Sequence, residues 1–179
     1  MNNNPEFKMM VYASLIAALT AVGAYISIPI GPVPIVLQSL FILLAGVLLG
    51  KEWGTASVGI YLLAGAAGLP VFAGGTGGIG RFFGPTGGYL IGFLPGVYIT
   101  GLISGKTKKN VFKDVTAMIC GTALIYAFGV SWLKVLTDIE IAGAFTVGMI
   151  PFIPGDSLKI AAGALIAKSV RPLIGNSGP

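Results

Sequence analysis

The sequence has no histidine and a single cysteine, Cys120, among its 179 residues. With one cysteine no disulfide can form within the chain, and without histidine the usual zinc and haem sites lack ligands. Cys120 lies in an apolar run, where a cysteine is most often a small packing residue. These absences remove much of the chemistry that an enzyme would use.

Charge is also scarce. Only 9% of the residues are charged, 55% are hydrophobic and the mean hydropathy is +0.91, whereas soluble domains carry about 25% charged residues. This composition indicates an integral membrane protein. Eleven Lys and Arg against six Asp and Glu give a net charge of +5. Because cytoplasmic loops of membrane proteins collect positive charge, the excess does not indicate a nucleic-acid partner.

Apolar runs separated by proline, glycine and charge predict an all-α fold with six transmembrane helices in one membrane domain, residues 1–179. The N-terminus lacks the basic head of a signal peptide, so the first span is expected to be retained. Lys51, Glu52 and Trp53 predict a tight charged turn between the second and third spans. The predicted spans are residues 9–28, 35–50, 55–69, 88–104, 115–130 and 155–169.

The orientation follows from the lysines. Lys106, Lys108, Lys109 and Lys113 form the strongest charge block, and the positive-inside rule places it in the cytoplasm. With six spans, both termini are then cytoplasmic, and residues 70–89 and 151–156 face the exterior.

Residues 70–89 are dense in glycine and nearly uncharged. Irregular backbone at a membrane is tolerated only where protein buries it or where it lines a cavity, so we expect a folded extracellular lid. Residues 75–80 match the dinucleotide fingerprint formally but lack its strand, helix and acidic residue. Residues 101–107 resemble a phosphate-binding loop, but Thr100 stands where that motif needs glycine. ATP-driven work would therefore need another subunit.

Asp156 and Lys159 are two opposite charges at the start of the last apolar run. At a spacing of three they share one helix face. Asp156 has two interpretations, as a helix cap or as a ligand contact. Lys159 could extend to the interface, yet an ionisable residue within a span is by default a functional candidate. Arg81 suits a carboxylate, with simple solvent exposure as the alternative.

The first span carries a small residue every fourth position, at Ala13, Ala17 and Ala21. Such a stripe lets another helix approach closely in lipid. The partner is either a helix of the same chain or a second protein, and the pattern alone favours the same chain.

Four segments together resemble one family of membrane proteins. They are Pro32-Val33-Pro34 with Gln38, residues 68–75, residues 84–89, and residues 151–156 with Lys159. In this order and spacing, over the whole chain, they resemble the BioY family, the biotin-binding S components of energy-coupling factor (ECF) transporters.

The resemblance implies a high-affinity biotin-binding subunit in the plasma membrane, with its site facing outward and no cofactor. Its partners would be a transmembrane coupling subunit, docked on Ala13, Ala17 and Ala21, and two ATPase subunits. The resemblance implicates Asp156 and Lys159 in biotin recognition. Further ligand contacts are expected among Thr76, Arg81, Tyr89, Gly74, Gly75, Phe72 and Gln38.

Two other function classes fit the sequence less well. A self-sufficient secondary carrier or channel usually shows intramembrane charges for ion coupling or a repeat of broken helices, and the chain has one charged pair near an entrance and no convincing repeat. An enzyme would need a nucleophile and a base. Ser157 and Lys159 are two residues apart, so their side chains diverge on a helix, and we expect no enzymatic activity.

Overall fold

A computed structural model of the protein describes residues 4–29, 31–105 and 110–175. These residues form a mostly helical membrane protein with a short antiparallel hairpin and two 3₁₀ helices, Ile79–Phe83 and Ile150–Phe152. Five helical stretches in the described ranges are long and apolar enough to cross a membrane. The elements are α1 (Pro5–Tyr25), β1 (Ser27–Ile28), β2 (Ile35–Val36), α2 (Gln38–Ala66), α3 (Gly87–Ser104), α4 (Val111–Thr137), α5 (Ile141–Gly148) and α6 (Ile153–Gly175).

Helix α2 reverses direction at Gly50. The Tyr61 hydroxyl lies 3.3 Å from Oε1 of Gln38, although 23 residues of straight helix would separate them by about 35 Å. A Cβ placed on Gly54 would lie 2.8 Å from the carbonyl oxygen of Ala45. The two arms of α2, residues 38–49 and 51–66, are therefore antiparallel neighbours.

The predicted charged turn at Lys51, Glu52 and Trp53 is wrong, because all three residues are helical. The reversal occurs one residue earlier, at Gly50, with φ 78° and ψ −178°. Glycine alone adopts this conformation without strain, so a single residue replaces a loop.

Helix α1 packs on α2, and its alanine stripe lies inside that contact. Ala13 and Ala17 are only 1% and 7% exposed, and Ser57 of α2 donates a hydrogen bond to the Ala13 carbonyl at 2.6 Å. Ala21 is half-buried. The same-chain interpretation of the stripe therefore describes Ala13 and Ala17 in this structure, whereas docking of a partner protein on the stripe stays a prediction.

The glycine-rich segment folds back onto the helix ends. Trp132 of α4 donates its indole N–H to the Gly84 carbonyl at 2.9 Å, and Tyr25 of α1 donates its hydroxyl to the Pro70 carbonyl at 2.6 Å. Phe72 is 3% exposed and packs against Tyr61 and Gly65 of α2. The segment is thus fixed at several points along its length.

Helix α4 is longer than the predicted span 115–130. Asn110 caps its start by accepting the Lys113 N–H at 3.2 Å, and the helix ends at Asp138, which adopts a left-handed conformation. Lys106, Lys108 and Lys109, on which the predicted orientation depends, lie outside the described residues.

Candidate functional site

An open cavity of about 180 Å³ lies where the β-hairpin, the glycine-rich segment, α3, α4 and α6 meet. Of the nine residues predicted to contact a ligand, the seven that line it come from four separate parts of the chain. They are Gln38, Phe72, Thr76, Arg81, Tyr89, Asp156 and Lys159.

Lys159 is saturated with hydrogen-bond partners. Its Nζ lies 2.7 Å from the Val36 carbonyl oxygen, 2.8 Å from Oδ1 of Asp156 and 3.1 Å from the Ser39 hydroxyl. An ammonium group has three N–H donors, so all of them are occupied. Lys159 therefore joins α6 to β2 and to the start of α2, which gives this buried charge a structural role.

Asp156 is held from two sides. Lys159 contacts Oδ1, and the Tyr126 hydroxyl of α4 donates to Oδ2 at 2.5 Å. Within the described ranges its side chain binds these two groups and no backbone N–H, so the capping interpretation is not what the structure shows. A carboxylate has about four acceptor sites, so Asp156 can accept further hydrogen bonds from the cavity.

Gln38 begins α2 and is 2% exposed. Its Oε1 accepts the hydrogen bond from Tyr61, which leaves the amide N–H₂ as its remaining donor group. This hydrogen bond from the buried Tyr61 thereby fixes the orientation of the Gln38 amide group.

An aromatic group forms one wall. The Phe72 ring meets Tyr61 and Phe82 edge-to-face, with centroids 5.6 and 5.8 Å apart. Such pairs are more favourable than area burial alone, so they stabilise the position of the Phe72 ring in this wall. Phe93 and Phe152 are further aromatic residues of the lining.

Arg81 lies on the exposed 3₁₀ helix at the cavity rim. In the described part of the chain its guanidinium makes no ion pair and no side-chain hydrogen bond. The hydroxyls of Thr76 and Tyr89 donate instead within the protein, to the carbonyls of Ala73 and Gly148 at 3.0 and 2.6 Å. Arg81 is thus the cavity's available cation.

Gly74 and Gly75 do not line the cavity. The Gly74 N–H donates to the Ala24 carbonyl at 3.2 Å, and a Cβ on Gly75 would lie 3.0 Å from the Tyr25 ring. Both have positive φ, 69° and 71°. Their contacts attach the glycine-rich segment to the end of α1. Gly74 and Gly75 therefore support the site without lining the cavity.

The sequence profile of the BioY family matches residues 1–176. The chain belongs to the BioY family. The biotin transporter BioY of Thermotoga maritima is 42% identical over 166 residues, which cover 93% of this chain and 97% of that protein. BioY of Rhizobium etli is 39% identical over 172 residues, 90% of this chain and 91% of that one.

A solved structure gives the same result. The S-component for biotin from an ECF-type ABC transporter superposes with a TM-score of 0.88 at 34% identity, covering 96% of this chain and 95% of that chain. The family prediction is confirmed. These BioY relatives are named as transporters, in agreement with the prediction that the chain is not an enzyme. Their names give biotin as the transported substrate, so no cofactor is indicated.

Sequence reasoning missed four residues of this cavity and of its charged pair. Ser39 and Tyr126 hold the charged pair, while Phe93 and Phe152 line the cavity. A tyrosine near the middle of an apolar helix is a weak signal for Tyr126, since its hydroxyl needs a partner when buried. Phe152 lies within the segment 151–156 that carries the resemblance but was not named as a contact, and nothing local marked Phe93.

Proposed function

We propose that the protein is the biotin-binding S component of an ECF-type vitamin importer and that the cavity at Asp156 is its biotin site. The observation that carries the proposal is a carboxylate with free acceptor sites, held by a lysine and a tyrosine, opening on an aromatic cavity. The proposal is supported by similarity in sequence and structure, over nearly the whole chain, to proteins whose names include biotin.

The ureido ring of biotin has two N–H donors and one carbonyl acceptor. A free acceptor site of Asp156 binds one ureido N–H group, and charge-assisted bonds of this kind are strong. Lys159, with its donors occupied, holds the carboxylate in place. The remaining donor group of Gln38 serves the ureido carbonyl.

Arg81 binds the valerate carboxylate. It is the unpaired cation at the cavity rim among the described residues, and its guanidinium matches a carboxylate in two-point geometry. The fused rings of biotin lie between these two polar ends, against the wall formed with Phe72, Phe93 and Phe152.

The topology we propose has six membrane crossings in the plasma membrane, with both termini cytoplasmic. The two arms of α2 cross separately, on either side of Gly50. Lys8, Lys51 and Lys168 then share the cytoplasmic side with the lysines around residue 110. The cavity faces outward, and the glycine-rich segment covers it as a lid.

The energy for import comes from partners, a transmembrane coupling subunit and two ATPases, because the chain has no nucleotide motif in a suitable context. Since α2 covers Ala13 and Ala17, docking uses the adjacent, uncovered side of α1. There the small residues Ser14 and Ala18 are exposed one turn apart, and small residues allow close helix contact in lipid.

The test is equilibrium binding of labelled biotin to the detergent-purified chain. We expect saturable binding with one site per chain, lost in Asp156→Asn and kept in Glu140→Gln, which neutralises an exposed carboxylate. Absence of binding at micromolar biotin, with the protein folded by thermal melt, would reject the proposal.

A further inference from the structure

A second buried charge cluster lies at the other end of α6 and is not used by the proposed biotin site. Nη2 of Arg171 lies 2.8 Å from Oδ1 of Asp114, 2.9 Å from the Ser104 hydroxyl and 3.1 Å from the Val47 carbonyl oxygen. Ser104 in turn donates to Asp114 at 2.6 Å. This Arg171 cluster (Val47, Ser104, Asp114 and Arg171) joins α6 to α2, α3 and α4.

The cluster is well shielded. The Asp114 side chain is 3% exposed and that of Arg171 is 11% exposed. Removing one member of a buried ion pair leaves the other as an uncompensated charge, which is strongly unfavourable. The Arg171 cluster therefore holds the end of α6 in one position.

The face of α6 that packs on its neighbours is built from small residues. It contains Gly163, Ala164 and Ala167, with Ala164 and Ala167 at 1% and 0% exposure, while Leu158 and Leu165 point outward at 74% and 62%. Small residues allow helix backbones to approach closely, but their short side chains do not reach far into the neighbouring helices. Leu40 and Met118 pack closely against Gly163, and the polar contacts near the two ends of α6 add directional constraints on its axial position.

The two ends of α6 are tied to the same helices. Near its start, Lys159 binds Ser39 of α2, and Asp156 accepts from Tyr126 of α4. Near its end, Arg171 binds Val47 of α2 and Asp114 of α4. Lys159 and Arg171 are twelve residues apart in one helix, about 18 Å along its axis. A continuous helix transmits a shift at one end to the other.

We infer that the Arg171 cluster is a remote positioning device for the ligand site: it fixes the register of α6 and so the place of Asp156 and Lys159 in the cavity. Arg171 and Asp114 are positioning residues that do not touch the ligand. The inference rests on the proposed function for the identity of that ligand.

The first measurement is calorimetric binding of biotin to Arg171→Met and Asp114→Asn. Losing good geometry for one charge-assisted hydrogen bond to the ligand weakens binding about tenfold, and we expect a rise in Kd of that order with one site per chain retained. Lys168→Met is the matched control, since it removes an exposed charge from the same turn of α6, and its Kd stays at the wild-type value. General destabilisation would instead lower the number of sites at unchanged Kd, which would overturn the inference.

The second measurement needs no ligand. Spin labels at Leu158 of α6 and Ile91 of α3, both exposed, are placed in a Cys120→Ser background, and their separation is measured by pulsed electron resonance. We expect the distance distribution to shift or broaden in Arg171→Met and to stay unchanged in Lys168→Met. Weakened binding with unchanged distances would overturn the inference, as would shifted distances with unchanged Kd. If the wild-type chain binds no biotin, the proposed function fails, and the distances alone then decide whether the cluster fixes α6.

Discussion

The ammonium group of Lys159 donates a hydrogen bond to the backbone carbonyl of Val36, 123 residues earlier, at 2.7 Å. The contact joins α6 to the hairpin that forms one wall of the cavity. Together with the bonds to Ser39 and Asp156, it makes Lys159 a link between two walls. Because Lys159 joins two walls of the cavity, we expect its removal to affect both folding stability and ligand binding.

Lys159→Ala should therefore lower the melting temperature and weaken biotin binding together. The substitution leaves the Asp156 carboxylate, 14% exposed in its side chain, without its cation, and a partly buried charge without a partner is unfavourable. Thermal melts and biotin titrations of Lys159→Ala and of the exposed control Lys168→Ala would test this. An unchanged melting temperature in Lys159→Ala would contradict the linking role.

Tyr126→Phe removes one hydroxyl and keeps the ring. The Asp156 carboxylate then loses the donor on Oδ2 and rotates more freely, so we expect biotin affinity to fall about tenfold, as for loss of a hydrogen bond to a charged group. Tyr98→Phe is the control, because Tyr98 is 42% exposed on α3. Equal affinities in the two variants would show that Tyr126 does not position the carboxylate.

Arg81→Gln should weaken binding of biotin but not of biotin amide, whose tail carries no charge. The guanidinium contributes only through the valerate carboxylate, so the expected loss for biotin is about tenfold at low salt. Competition titrations with both ligands measure this difference, with the exposed Lys134→Gln as control. A similar loss for both ligands would place Arg81 elsewhere in the site.

Gly50→Ala tests the reversal of α2. A residue with a Cβ is strained at φ 78°, ψ −178°, at a cost of about 1–3 kcal/mol. Gly59→Ala is the counterpart in the second arm, since a Cβ there meets no atom within 4 Å and alanine favours helix. We expect a lower melting temperature for Gly50→Ala and none of this loss for Gly59→Ala.

Ala13→Leu and Ala18→Leu separate packing from docking on α1. Ala13 is 1% exposed against α2, so a larger side chain overpacks that contact at a cost of about 1–3 kcal/mol. Ala18 is exposed, so its substitution should leave the melt unchanged and reduce co-purification with the coupling subunit. Loss of assembly only in a folded Ala13→Leu protein would reverse this assignment.

Short-range pattern predicted the charged pair but not what holds it. Asp156 and Lys159 are three residues apart, so helix geometry alone places them together. Tyr126 and Val36 reach the pair from 30 and 123 residues away, and no local pattern encodes such contacts. The stripe at Ala13 likewise indicated a close helix contact without saying which helix makes it.

The turn at residues 51–53 shows a different limit. Charged residues and a tryptophan suggested a loop, since they suit an interface. The deciding factor was the backbone freedom of Gly50, which lets two helices meet with no loop between them. Composition correctly predicted that the first arm ends near residue 50. The absence of a loop after it depends on the backbone conformation of Gly50.

The hydrogen bond from Trp132 to the Gly84 carbonyl gives the molecule an internal optical reporter. The chain has two tryptophans. Trp132 is hydrogen-bonded to Gly84, which lines the cavity. Trp53 lies near the Gly50 reversal, in the second arm of α2. Displacement of the glycine-rich segment would change the polarity around the Trp132 indole and shift its emission. In Trp53→Phe, intrinsic fluorescence would then follow occupancy of the cavity in real time without any added label.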